Sequence, residues 1–179
     1  MRVSEERLSA ASFEDLALPL FDQLYNFAHW LTQDKAEAED LVQETYAKAL
    51  GGFSSFQTGT NFRAWMYRIL RNSFLSSRTG LKTMVVLDEE SSESLPTENA
   101  TPEVLFLEQV SREMVQEALE GLPVQFREIL LLCEVEEMSY QEISETLAIP
   151  MGTVMSRLYR ARQALRAALR AKMGGQHGM

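Results

Sequence analysis

The residues with the most distinctive chemistry lie in SYQEISETLAIPMGTVMSRLYRARQALRAALRAK, Ser139 to Lys172. Arg157, Arg160, Arg162, Arg166, Arg170 and Lys172 fall within it, and no acidic residue occurs between Thr153 and the end of the chain. Cations without counter-charges attract polyanions, and phosphate attraction supplies most of the sequence-independent affinity of a DNA-binding protein. The elements that must carry these cations follow from spacing. Ser139 and Glu142 have the S-x-x-E order in which a hydroxyl and a carboxylate satisfy the free N–H groups of a helix start. Ile143 and Leu147 give that short helix an apolar stripe. Ala148-Ile149-Pro150-Met151-Gly152 breaks it, because proline disfavours helical geometry in the residue before it and glycine admits backbone angles that other residues resist. A longer helix follows, with Val154, Leu158, Ala161, Leu165 and Leu169 on its buried face and the cations on the others. Short helix, tight turn and longer basic helix make the helix-turn-helix pattern, whose second helix enters the DNA major groove. A run of charge is more often a plain solvated face. Ser144, Ala148 and Val154 favour the motif, standing where it needs a small residue at the helix contact, a small residue in the turn and an apolar anchor.

A second basic stretch lies upstream. Between Thr45 and Leu87 there is no Asp or Glu, while Lys48, Arg63, Arg68, Arg71, Arg78 and Lys82 all fall inside it. The spacing predicts a helix from Asn61 or Phe62 to about Arg78 that buries Phe62, Met66, Ile69 and Trp65 and gathers Arg68, Arg71, Asn72, Leu75 and Arg78 on one face. The loop before it, FSSFQTGTN, carries Phe53 and Phe56, which either plug a core edge or present rings to unpaired bases. Aromatic faces stack bases without regard to sequence and arginines follow the backbone, so such a surface suits single-stranded DNA. Trp65 at helical spacing is more often core, and Asn61 has a plain reading as a helix cap.

Two further helices precede this surface. Phe13, Leu16, Leu20, Leu24, Phe27 and Leu31 recur as one amphipathic helix, with His29 as a surface or packing residue near its end. Asp34 and Glu37 repeat the capping spacing and open a helix closed by Gly51-Gly52, whose exposed face carries Asp40, Gln43, Glu44 and Lys48. After Gly80 the composition changes to a flexible acidic linker with six acids and two prolines. A second domain begins near Val104 with a helix ended by Gly121, then VQFREILLLCEVE, started by Pro123. The fold class is therefore all-α: two small helical domains, residues 13–79 and 104–173, with a linker at 80–103 and tails at 1–12 and 174–179.

A chain of 179 residues that is 45% apolar can build these cores. Its net charge of −9 argues against a free-standing, tightly binding DNA protein, because bulk DNA repels it. Two acid-free basic segments in an acidic chain imply two nucleic-acid contacts held in place by something else. No apolar run is long enough to cross a bilayer and no signal peptide is visible, so a cytoplasmic location is expected. The single cysteine, Cys133, excludes an internal disulfide and sits among leucines as a structural thiol. No nucleophile–base pair, metal cluster or phosphate loop is visible; an enzyme, a bound metal and a cofactor are not expected.

With these residues in place, the chain resembles the bacterial extracytoplasmic-function sigma factors of the sigma-70 family. AEDLVQETYAKAL, FRAWMYRILRN, LPVQFREILLL and IPMGTVMSRLYRAR match that family's patterns in order and separation. The resemblance implies a sigma-2-like helical bundle and a sigma-4-like helix-turn-helix domain. It implies that Asp40, Gln43, Glu44 and Lys48 dock on the β′ clamp of core RNA polymerase. Phe56, Asn61, Arg63, Arg68, Arg71 and Asn72 would read and melt the −10 element of promoter DNA. Thr153, Met155, Ser156, Arg157, Arg160 and Arg162 would read the −35 element from a seat on the β flap, although many relatives carry Lys or Arg where this chain has Met155. PLFDQLY, FQTGTNFRAWMYRIL and MGTVMSRL look most like the subgroup that answers thiol-oxidative stress through a zinc-binding anti-sigma factor. The acidic linker, through Asp88, Glu89, Glu90 and Glu93, would lie in a basic groove of the polymerase. The alternative is a helix-turn-helix regulator that needs no polymerase, distinguished by a shift of promoter DNA with the pure protein alone; a helical adaptor with merely solvated basic faces is a further alternative.

Overall fold

The computed structural model describes residues 13–56, 60–79 and 111–176, and every regular element among them is helical. They divide into two compact units, Met1–Val86 with Gln141–Ala148 and Leu87–Tyr140 with Ile149–Met179. The expectations for the N-terminal tail, for residues 57–59 of the loop, for Lys82 and the acidic linker, for the start of the second domain and for residues 177–179 lie outside the described residues.

A helical turn at 13–17 and a 3₁₀ turn at Leu18–Leu20 lead into α1 (Phe21–Thr32), so the single helix expected from Phe13 is interrupted. Pro19 is the reason: it has no N–H to give an i→i−4 bond, and the chain tightens through it. α2 (Lys35–Gly52) starts where Asp34 Oδ1 accepts the Glu37 N–H at 2.9 Å and stops at the expected glycines. A 3₁₀ turn, Phe53–Ser55, and α3 (Phe62–Thr79) follow. α2 packs on α1 and α3. Leu24, Phe27 and Leu31 of α1, Leu41, Val42 and Ala49 of α2, and Met66, Tyr67, Leu70 and Phe74 of α3 are all buried. Thr45 is fully buried in the α2 stripe, which it can occupy because its hydroxyl donates to the Leu41 carbonyl at 2.7 Å.

The interrupted N-terminal turn is tied down by the Tyr46 hydroxyl, which donates to the Ala17 carbonyl at 2.6 Å. Burial, with Asp22 adding, pushes the phenol up to about 12 from its ordinary value of 10. A phenol whose folded pKa lies above its unfolded one stabilises the fold in full below pH 10 and loses that contribution as pH rises through about 12. Tyr46→Phe is expected to lower stability by about 1 kcal/mol at pH 7. Its stability should also fall less steeply than that of the parent between pH 10 and 12, read by urea melts at stepped pH.

The C-terminal elements are α4 (Arg112–Glu120), α5 (Val124–Leu130), α6 (Tyr140–Leu147) and α7 (Met151–Gln176). Ser111 caps α4 by accepting the Met114 N–H at 3.3 Å, and Pro123 begins α5. The helix expected through VQFREILLLCEVE widens after Leu130 into a π stretch, Leu131–Val135, where Glu136 N–H reaches the Leu131 carbonyl at 3.0 Å. A π turn holds one residue more than an α turn, and this turn carries Cys133 and Glu134. α7 packs on α4 and α5 through a stripe that includes Val154, Leu158 and Ala161, all buried. It runs through Gly174-Gly175 to Gln176, past the expected boundary of the tail.

The turn between α6 and α7 uses left-handed backbone at Ala148, φ 55°, and not at Gly152, which lies in the first turn of α7. A left-handed residue with a Cβ costs about 1–2 kcal/mol, against about 0.5–1 kcal/mol of extra chain entropy for glycine. Ala148→Gly is therefore expected to stabilise the protein by about 0.5–1 kcal/mol, measured by denaturant melting.

Candidate nucleic-acid interface

The first surface is built around the start of α3. Asn61 caps that helix: its Oδ1 accepts the Ala64 N–H at 3.1 Å and its carbonyl the Trp65 N–H at 3.1 Å. The plain reading of Asn61 is thus observed in this structure. Phe53 and Phe56 pack at the core edge and do not stand out as open platforms. Phe56 meets Phe62 edge-on at 5.3 Å between centroids and Trp65 at 5.1 Å, while Phe53 meets Phe13 at 5.2 Å and Phe62 at 6.2 Å. This aromatic cluster packs the 3₁₀ turn Phe53–Ser55 and Phe56 against the start of α3. Beyond it, Arg63 lies over the Tyr67 ring at 5.7 Å, Arg68 and Arg71 are half-buried, and Asn72 is exposed with its Oδ1 3.4 Å from Arg71. Arg78, expected on the same basic face, is drawn away by Glu37 at 2.8 Å and the Phe74 ring at 5.3 Å.

The opposite character belongs to the outer face of α2. Asp40, Gln43, Glu44 and Lys48 are all exposed there, as their spacing predicts. Lys48 is not a lone cation: its ammonium pairs with Glu44 at 2.9 Å and donates to the buried Ser73 hydroxyl at 3.0 Å. It tethers α2 to α3 and steadies Glu44. Asp40 and Glu44 also line a hollow of about 270 Å³ together with the buried Leu41 and Phe74.

The second candidate surface is the outward side of α7. At about 100° of turn per residue, Gly152, Ser156, Tyr159, Arg160 and Gln163 share the side opposite the buried stripe, with Thr153 at one margin and Met155 at the other. Met155 is 42% exposed, and a Cβ on Gly152 would meet nothing within 4 Å. Tyr159 and Gln163 join this face without being charged; the spacing that places them there is i+3 from Ser156 to Tyr159 and i+4 from Tyr159 to Gln163. The Tyr159 hydroxyl accepts from Gln163 Nε2 at 2.8 Å. Two expected cations depart from this face. Arg157 is only 8% exposed, because its position on the helix falls beside Val154 and Ala161 rather than opposite them. Arg162 is held by Glu134, with Nη2 2.9 Å and Nε 3.2 Å from one carboxylate oxygen, and Nη2 lies 3.6 Å from Cys133 Sγ. Burial alone would lower this guanidinium, but its bonds to Glu134 and Tyr140 outweigh that and hold it above its ordinary range. Burial pushes the Cys133 thiol up, with Glu134 adding and Arg162 opposing, which leaves a poor nucleophile.

Comparison with known proteins bears on both surfaces. Residues 19–82 match the family model for sigma-70 region 2, and residues 112–165 match that for sigma-70 region 4. The chain is 35% identical over 158 residues to the ECF RNA polymerase sigma factor EcfG of Rhodopseudomonas palustris, covering 88% of this chain and 85% of that one. The chain belongs to the extracytoplasmic-function sigma factors of the sigma-70 family. It is 36% identical over 163 residues to the ECF RNA polymerase sigma factor SigE of Mycolicibacterium smegmatis, covering 90% of this chain and 63% of that relative's length. Among solved structures it resembles the sigma factor RpoE of Bartonella quintana in its complex with the anti-sigma factor NepR, with a TM-score of 0.66 at 29% identity over 89% of this chain and 97% of that one. Among the described residues no helix is long and apolar enough to cross a membrane.

Proposed function

We propose that this chain is an alternative sigma factor that binds core RNA polymerase, reads the −10 and −35 promoter elements, and promotes strand opening in the cytoplasm. The observation that carries this reading is the pairing, in one chain and in order, of a region 2 match at 19–82 and a region 4 match at 112–165. Each holds an outward surface of suitable chemistry. Asp40, Gln43 and Glu44, steadied by Lys48, form the face for the β′ clamp. Arg63, Arg68, Arg71 and Asn72 flank the −10 strand, with Asn61 and Phe56 shaping the entrance. Thr153, Met155, Ser156, Tyr159, Arg160 and Gln163 read the −35 element while the domain sits on the β flap. The functional regions are 13–79 and 104–173, joined by the acidic linker 80–103. The role is regulatory rather than catalytic.

An anti-sigma factor holds the free chain inactive, as the complex of the similar Bartonella protein with NepR suggests by analogy. The combination of PLFDQLY, FQTGTNFRAWMYRIL and MGTVMSRL points to a zinc-binding partner of the thiol-stress kind. The thiol sensor then belongs to that partner, since the one cysteine here is half-buried and its thiol is pushed up. Run-off transcription with core polymerase, this chain and a genomic promoter library tests the reading. New start sites sharing two spaced sequence elements are expected; no stable assembly and no new start site would end it.

A further inference from the structure

We propose that Arg162 is a positioning residue for −35 recognition: it clamps α7 to the π stretch, sets the turn of that helix about its own axis, and does not itself contact DNA. This rests on the −35 role proposed above for the outward face of α7. Two guanidinium nitrogens of Arg162 converge on one oxygen of Glu134, a third contact goes to Cys133, and a further side-chain hydrogen bond joins it to Tyr140. Cys133 and Glu134 lie in the π stretch and Tyr140 begins α6, so one side chain of α7 grips both ends of the passage from α5 to α6. The widened turn carries an extra residue and so brings both Cys133 and Glu134 within reach of one guanidinium.

The apolar stripe of α7 fixes which side faces inward, but burial of Val154, Leu158 and Ala161 is non-directional and tolerates rotation. Charged hydrogen bonds are directional, and Arg162 stands at the flank between the buried stripe and the outward face. Reading base edges requires side chains held within about 10–20° of their productive orientation. The Glu134 side chain is 57% exposed and that of Arg162 25%, so the ion pair adds little stability of its own. Its effect is expected in orientation. A guanidinium committed to these acceptors is also poorly placed to serve a phosphate.

The test uses the full chain assembled with core polymerase and a promoter recovered from the run-off library, with its −35 element intact or scrambled. Binding to the two fragments is compared across a salt series, below the melting temperature of each variant. Arg162→Ala and Glu134→Ala are each expected to lower the intact-to-scrambled ratio about tenfold, and the double variant no further, since both remove one clamp. The slope of log affinity against log salt should stay unchanged. Arg162→Lys keeps the charge without the fork and should also lose the ratio; the exchange of Glu134→Arg with Arg162→Glu should recover it. The proposal falls if Arg162→Ala flattens the salt slope by about one phosphate contact while Glu134→Ala does nothing. It falls equally if both alanine variants keep the parent ratio. A parent holoenzyme that does not distinguish the two fragments overturns the −35 reading itself, and this proposal with it.

Discussion

Phe62→Ala is expected to abolish opening of the −10 strands by the holoenzyme while leaving its −35 contacts in place. Phe62 is the first residue of α3, is 9% exposed, and is the ring that the other rings of its cluster share. It meets Phe13 at 6.3 Å, Phe53 at 6.2 Å, Phe56 at 5.3 Å and Trp65 at 5.6 Å. Truncating a buried phenylalanine costs about 3–5 kcal/mol, and each aromatic pair lost is part of that figure. A small helical unit has a net stability of only about 5–15 kcal/mol, so the loss is a large share of it. The damage also falls where function needs order. Without Phe62 the 3₁₀ turn of Phe53–Ser55 keeps only the Phe13–Phe53 contact and Phe56 only its contacts with Phe53 and Trp65, so the turn is held less firmly against the start of α3 and its arginines. Permanganate reactivity of unpaired thymines at the −10 element reads strand opening directly. Phe62→Leu, which keeps most of the volume, should retain more than half of the parent signal. Parent-level reactivity with Phe62→Ala would show that the cluster has no part in melting.

Why Phe62 was legible in the sequence and its partners were not follows from what periodicity can report. Phe62 and Met66 recur at helical spacing and are buried as it predicts, whereas Ile69 and Trp65, expected with them, are only half-buried and Leu70 and Phe74 take the inner positions. Phe53 and Phe56 lie in a segment of Gly, Ser and Thr with no period, and only the arrival of Phe13 from the N-terminal turn decides that they pack inward. The same limit explains the arginines of α7. All of them look alike as a basic run, but rotation along the helix puts Arg157 beside the core and Arg162 at its flank, where Glu134 takes it. That partner is reachable because α5 widens into a π stretch, and a run of leucines signals burial without revealing the extra residue in the turn. Asp34 as a cap, by contrast, was readable outright, because capping chemistry is local. The left-handed residue in the α6–α7 turn was misjudged for a related reason: Pro150-Met151-Gly152 carries the glycine, yet Pro150 stands just before α7, and the reversal falls earlier, on Ala148.

The exposure of Asp40, Gln43 and Glu44 was also legible from their spacing, and the polymerase docking proposed for them yields the second large effect. Asp40→Lys with Glu44→Lys is expected to weaken assembly with core polymerase by about thirtyfold to ninehundredfold near physiological salt. The reasoning is that each reversal removes an attraction and installs a repulsion, together worth about 1–2 kcal/mol per site, and about 1.4 kcal/mol is tenfold in affinity. Both side chains are exposed and line the hollow beside Leu41 and Phe74, so the fold does not depend on their charge. Lys48 loses its Glu44 partner but keeps the Ser73 hydroxyl, so the α2–α3 tether should survive. The melting temperature should therefore move by less than about 3 °C while assembly is lost. Fluorescence anisotropy of the labelled chain titrated with core enzyme measures the first quantity, and raising salt should narrow the gap between parent and variant because exposed charges are screened. A parent-like affinity in the doubly reversed chain would move the docking face off α2 altogether, and the acidic face of that helix would then be solvation alone.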